Sequence, residues 1–109
     1  MDKKKFRTAY VSQNTSHDFS TLLEICETIR FVATGYEKEE DLLPSLQESL
    51  KDYHPATDVI VPVGSVTLNA LIGMVVGQLV KEHHYSTFRM AFFQDKEYHV
   101  AEIHEAIHV

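Results

Sequence analysis

The sequence predicts an α/β fold: a single small domain in the order β-β-α-β-α-β-β, with a mixed open sheet and two main helices. Three observations carry that prediction. The stretch Asp58–Val80 joins an apolar run, a glycine and a longer apolar run, with no charge between Asp58 and Lys81; this is the pattern of a buried strand, a turn and a buried helix. Alternating segments rich in β-branched and aromatic residues lie before it, and a pair of them flanks Gln94–Glu97 after it. With 109 residues and 44% hydrophobic content, the chain is long enough for one core and too short for two.

Residues 1–5 read as a solvated tail. In Phe6–Gln13, FRTAYVSQ, apolar and polar residues alternate, which predicts the first strand. The polar cluster Asn14 to Asp18 ends it. Thr21 and Glu24 have capping-box spacing, so Phe19–Glu27 is expected to be an irregular or short helical connection. Thr28–Thr34 is the expected second strand, with Ile29, Phe31 and Ala33 on one face, and Gly35 closes it. The acidic residues Glu37, Glu39, Glu40 and Asp41 suit a helix start, where negative charge meets the positive end of the macrodipole. A first helix is expected from about Leu42 to Tyr53. Pro44 would sit in its first turn, and Leu42, Leu43, Leu46, Leu50 and Tyr53 would form its apolar stripe. His54 and Pro55 stop it.

Asp58–Val63 is apolar on both faces, which predicts a central strand with a parallel neighbour. Gly64 makes the turn, Ser65 or Thr67 caps, and the second helix runs to about His83. Leu68, Leu71, Ile72, Val75, Val76 and Leu79 form its broad apolar face. On the other side Val66, Ala70, Gly73 and Gly77 stand where a surface helix would carry charge. Glycine costs a helix about 1 kcal/mol against alanine, so close packing, with a second subunit as first candidate, is expected at Ala70, Gly73 and Gly77. The final hairpin pairs Phe88–Phe93 with Tyr98–Ile103 and sets Phe93 opposite Tyr98 and Arg89 opposite Glu102. Its loop has two or four residues.

A net charge of -6 and scattered basic residues argue against duplex nucleic acid as a partner, because neutralising phosphates needs a basic face. The single cysteine, Cys26, excludes an internal disulfide and fits a reducing compartment. No targeting signal is visible. Pro62, Gly64, Ser65, Thr67, Asn69 and Gln78 interrupt the uncharged run, so a strand and a buried helix account for it better than a membrane span.

The expected ligand site is Gly64, Ser65, Val66 and Thr67. Glycine allows a tight turn, and the unpaired N–H groups of a first helical turn hold phosphate or carboxylate. The basic residues Arg30 and Arg89 are candidate supporting charges. The chain has no Walker lysine and no dinucleotide-binding glycine pattern. HEAIH at His104–His108 matches the zinc-hydrolase spacing. However, it follows a strand and ends one residue before Val109, so a polar tail is expected there, with no metal and no cofactor. His17 with Asp18, and His54 near Asp58, read as cap or turn pairs.

YVSQ, DLLPSLQESLKDY, VIVPVGS and KEYHVAEI together resemble the pattern of a group of short, uncharacterised tailed-phage proteins, over nearly the whole chain. That group usually has Asp-Pro after the turn glycine, where this chain has Ser65 and Val66. Gly64, Thr67 and Gly77 are also similar to positions in the viral anti-CRISPR ring nucleases, small dimeric α/β proteins that bind cyclic oligoadenylate. Ser65 stands at that family's histidine, which implies binding without cleavage. The resemblances imply a phage-encoded accessory or anti-defence protein in the host cytoplasm. It would be a homodimer and non-enzymatic, holding a nucleotide or other phosphorylated small molecule. The alternative expectation is an acidic inhibitor that engages a host protein through Glu37–Asp41.

Overall fold

The computed structural model describes residues 5–15, 17–33 and 37–104. Five strands form one sheet in the order β2-β1-β3-β4-β5. They are β1 (Phe6–Gln13), β2 (Cys26–Ala33), β3 (Asp58–Val61), β4 (Thr87–Gln94) and β5 (Glu97–His104). The first four run parallel and β5 is antiparallel to β4. The helices α1 (Glu39–Ser49) and α2 (Val66–Glu82) complete the order expected from the sequence.

The strand order explains which face each connection covers. The crossovers β2-α1-β3 and β3-α2-β4 both move toward β5, so right-handedness places both helices on one face. There Leu46, Leu50, Tyr53, Leu68, Ile72, Val75, Val76 and Val80 pack on Tyr10 and Ile60. The crossover from β1 to β2 moves the other way and so lies on the opposite face, over Ala9, Val11, Val59 and Val61. It is only a five-residue 3-10 turn, Ser20–Glu24, anchored by the buried Leu22 and flanked by the buried Phe19.

Several element boundaries differ from the sequence reading. β2 begins at Cys26 rather than Thr28, because Cys26 pairs with Phe6 at the start of β1. The capping box does not form: no side chain caps the 3-10 turn, and Ser20 N–H instead donates to Asp18 Oδ1 at 2.9 Å. α1 starts at Glu39 and ends at Ser49, so its acidic residues are its first turn and Pro44 lies beyond it. Leu43 is 43% exposed; a residue next to Leu42 points about 100° away from it and leaves the stripe. β3 ends at Val61. The hairpin loop is the two-residue Asp95-Lys96, both at positive φ of 54° and 67°, as a type I′ turn requires. Phe93 faces Tyr98 and Arg89 faces Glu102 as expected. Thr34 and Gly35 at the end of the expected second strand, Tyr36, and most of HEAIH lie outside the described residues.

A candidate binding crevice at the switch point of the sheet

β1 lies beside β3, yet the chain leaves β1 toward β2 and leaves β3 toward β4. At such a switch point the two connections part and leave a crevice at the carboxyl ends of the strands, where open α/β sheets bind their ligands. In this protein the crevice edge is formed by Ser12 and Gln13 of β1, the turn Pro62–Ser65, and the start of α2.

A polar network holds the turn. Gly64 adopts φ +77°, and a Cβ there would lie 2.2 Å from Gln13 Oε1, so only glycine sits here without displacing Gln13. Gln13 Oε1 accepts from Ser65 N–H at 3.0 Å. Ser65 Oγ accepts from Leu68 N–H at 3.2 Å, the N-cap bond of α2. Asn69 Nδ2 donates to Val63 O at 2.9 Å and Ser65 O at 2.8 Å. Ser12 Oγ accepts from Val63 N–H at 3.2 Å and donates to Asn69 Oδ1. With both ends of the Asn69 amide engaged, the turn is fixed to β1 and α2 from three directions. Val66 and Thr67 are exposed at the positive end of α2, and helix geometry gives their N–H groups no intrahelical acceptor.

Two hollows lie near: the smaller adjoins this turn, and the wider shares Glu37 with it between the end of β2 and α1. One of about 170 Å³ is lined by Gln13, Glu37, Leu42, Ser65 and Leu68. The other, about 620 Å³ and open, is lined by Asn14, Phe31, Ala33, Glu37, Ser45 and Ser49 among others. Glu37 belongs to both. Among the described residues, their polar side chains are amides, hydroxyls and the Glu37 carboxylate.

Of the residues expected at the site, Gly64, Ser65, Val66 and Thr67 are contiguous at the crevice. Arg30 and Arg89 are elsewhere. Arg30 stands 3.7 Å from Asp52, beyond the C-terminal end of α1. Arg89 lines a separate cleft of about 420 Å³ with Lys5, Arg7 and Glu27, beside the start of the parallel strands. The reason is register: Arg89 pairs with Val59, near the beginning of β3, whereas Gly64 follows its end. Ala70, Gly73 and Gly77 lie on the outer side of α2. Tyr10 and Tyr53 are buried and do not reach the crevice surface. They meet edge to face at 5.7 Å, and burial raises the hydroxyl pKa of each.

Sequence reading missed the bracing residues Ser12, Gln13 and Asn69. A signal existed, since Asn69 is one of few polar residues in an apolar helix, but its partner is 57 positions away. It also missed the pairing of Arg7 with Asp58. Asp58 is 0% exposed and accepts from Arg7 Nη2 at 2.8 Å, Arg7 Nε at 3.1 Å, His54 N–H at 2.8 Å and Thr57 Oγ1 at 3.2 Å. The carboxylate in turn raises the pKa of Arg7. This cluster ties β1 to β3 at their amino ends, away from the crevice. His54 is thus a turn residue, as expected, and so is Asp18, whose pKa is lowered by the Ser20 N–H.

Among known proteins, no family model matches the chain, and no curated protein or solved structure matches it. The phage resemblances therefore rest on the sequence pattern alone. Among the described residues no helix is long and apolar enough to cross a membrane, and none of their His, Cys, Asp and Glu side chains form a group of three suited to a metal ion.

Proposed function

We propose that the protein is a binding module that holds a nucleotide or a similar phosphorylated small molecule in the switch-point crevice. One observation carries the reading: the reversal of strand order among the described strands coincides with a braced glycine turn at the start of α2, where Val66 and Thr67 are exposed and helix geometry gives their N–H groups no intrahelical acceptor. A phosphate placed there takes hydrogen bonds from backbone groups that need no rearrangement, and the α2 dipole favours its charge. The wider hollow suits the remainder of such a ligand. Asn14, Ser45 and Ser49 offer hydrogen bonds to a sugar, and Phe31 offers an apolar ring to a base.

Calorimetric titration with cyclic, linear and mono-phosphorylated nucleotides tests this, with inorganic phosphate as a control. Binding should weaken at least tenfold in Ser65→Glu, which places a carboxylate where the phosphate sits, and should weaken progressively with added salt. Absence of heat with every nucleotide, or undiminished affinity in Ser65→Glu, would sink the proposal.

A further inference from the structure

The outer side of α2 poses a problem that the single chain does not solve. Val66 is 85% exposed and Met74 is 68% exposed, and with Ala70 they form a ridge at helical spacing. Beside the ridge, Gly73 and Gly77 leave a trough. A Cβ added at either glycine would meet nothing within 4 Å, so packing within the chain does not require glycine at these positions. The trough continues onto the sheet. One part, about 480 Å³, is lined by Gly77, Gln78, Val80, Lys81, Ser86 and Phe88, and a smaller one runs between Gly73 and Met90. Phe88 pairs with Ile103 and Met90 with Ala101, so β4 and β5 floor the trough with apolar side chains that neither helix fully covers. A contiguous exposed apolar patch of this kind marks an interaction surface.

We infer that a second copy of this chain covers this face, with α2 packed antiparallel on its counterpart about a two-fold axis near Gly73 and Met74. Three features select a second copy over a foreign partner. A ridge lying beside a trough of similar length is self-complementary under a two-fold rotation: each ridge enters the other copy's trough, as an isologous contact demands. Two molecules of net charge -6 repel each other least through a surface without acids; residues 66–80 carry no charge, and the charged residue lining the trough is the basic Lys81. Antiparallel α2 helices also oppose their dipoles favourably. Ridge, trough and β4–β5 floor measure about 25 Å by about 20 Å from helix and strand dimensions. Ruffled by side chains, that patch approaches the lower end of the roughly 600–1,000 Å² per partner of stable interfaces. The glycines then have a role: they bring the two helix backbones close together.

Sedimentation equilibrium of the full chain across the micromolar range tests the inference, with circular dichroism as the folding control. The wild type should show twice the 12.5 kDa chain mass. Met74→Glu should show the single-chain mass with an unchanged spectrum, because Met74 is exposed in the lone chain. Gly73→Ala combined with Gly77→Ala should dissociate at least tenfold more readily while retaining or gaining helix. A single-chain mass for the wild type at every concentration overturns the inference and assigns the face to some other molecule. A Met74→Glu protein that stays at the double mass overturns it equally.

Discussion

Replacing Gly64 by alanine tests whether the crevice turn is braced as its geometry indicates. Two costs arise together. At φ +77° a residue with a Cβ is strained by about 1–2 kcal/mol. The new methyl group would also stand 2.2 Å from Gln13 Oε1 and 2.7 Å from its Cδ, closer than any contact allows. Gln13 is flexible and can rotate away, but it then gives up the 3.0 Å bond from Ser65 N–H, worth about 1 kcal/mol. The expected loss is therefore about 2–3 kcal/mol, a sizeable part of the roughly 5–15 kcal/mol that holds a domain of this kind. Urea denaturation at one fixed protein concentration measures it, with an unchanged m-value showing that both states keep their compactness. The pair Gln13→Ala and Gly64→Ala separates the two terms. Once the glutamine side chain is gone, adding alanine at Gly64 should cost only the backbone strain, about 1 kcal/mol less than in the wild type. A Gly64→Ala loss below about 0.5 kcal/mol, or additive effects of the two substitutions, would refute the reasoning.

Arg7→Ala leaves Asp58 buried with only the His54 N–H and the Thr57 hydroxyl; because Arg7 is half exposed, the expected destabilisation is about 1–3 kcal/mol rather than the full cost of a buried unpaired charge. Lys51→Ala, which breaks the exposed pair with Glu48, should leave the denaturation midpoint essentially unchanged in the same assay, because solvent screens the pair; equal effects would remove the argument from burial. Burial raises the pKa of Cys26, Tyr10 and Tyr53 above their ordinary values of 9.0 and 10.0, so the folded chain keeps protons that the unfolded chain releases. The associated stability is present in full below pH 9 and falls as pH rises, by up to about 1.4 kcal/mol per pH unit for each group. Tyr53→Phe should make that decline shallower and should stabilise at neutral pH by about 1 kcal/mol, since the buried Tyr53 hydroxyl has no hydrogen-bond partner among the described residues. Thermal melts from pH 7 to pH 11 check both effects, and an unchanged slope in Tyr53→Phe would refute the assignment.

The sequence by itself determined the elements and their order. Periodicity is local, so FRTAYVSQ, VIVPV and the apolar α2 declared strand, buried strand and helix without reference to anything distant. Turn chemistry is local too: Gly64 is at positive φ and Ser65 caps α2 because four consecutive residues suffice to specify a strand-turn-helix corner. The hairpin register followed from alternation, which a slip of one residue would invert. Helix ends were less legible, because Glu39 and Ser49 bound α1 by a balance of dipole, proline and packing rather than by one strong signal.

Tertiary structure alone decided which strands are neighbours, and with them where a site is formed. Placing β1 between β2 and β3 creates the switch point, brings Gln13 to Ser65 across 52 positions, and sends Arg30 and Arg89 away from the crevice. It also sets both helices on one face, leaves the helix side of β4 and β5 only partly covered, and leaves the outer side of α2 exposed. No local pattern encodes these outcomes. Strand order is chosen by the total burial achieved by the whole sheet, to which every residue contributes a little and none enough to be read alone.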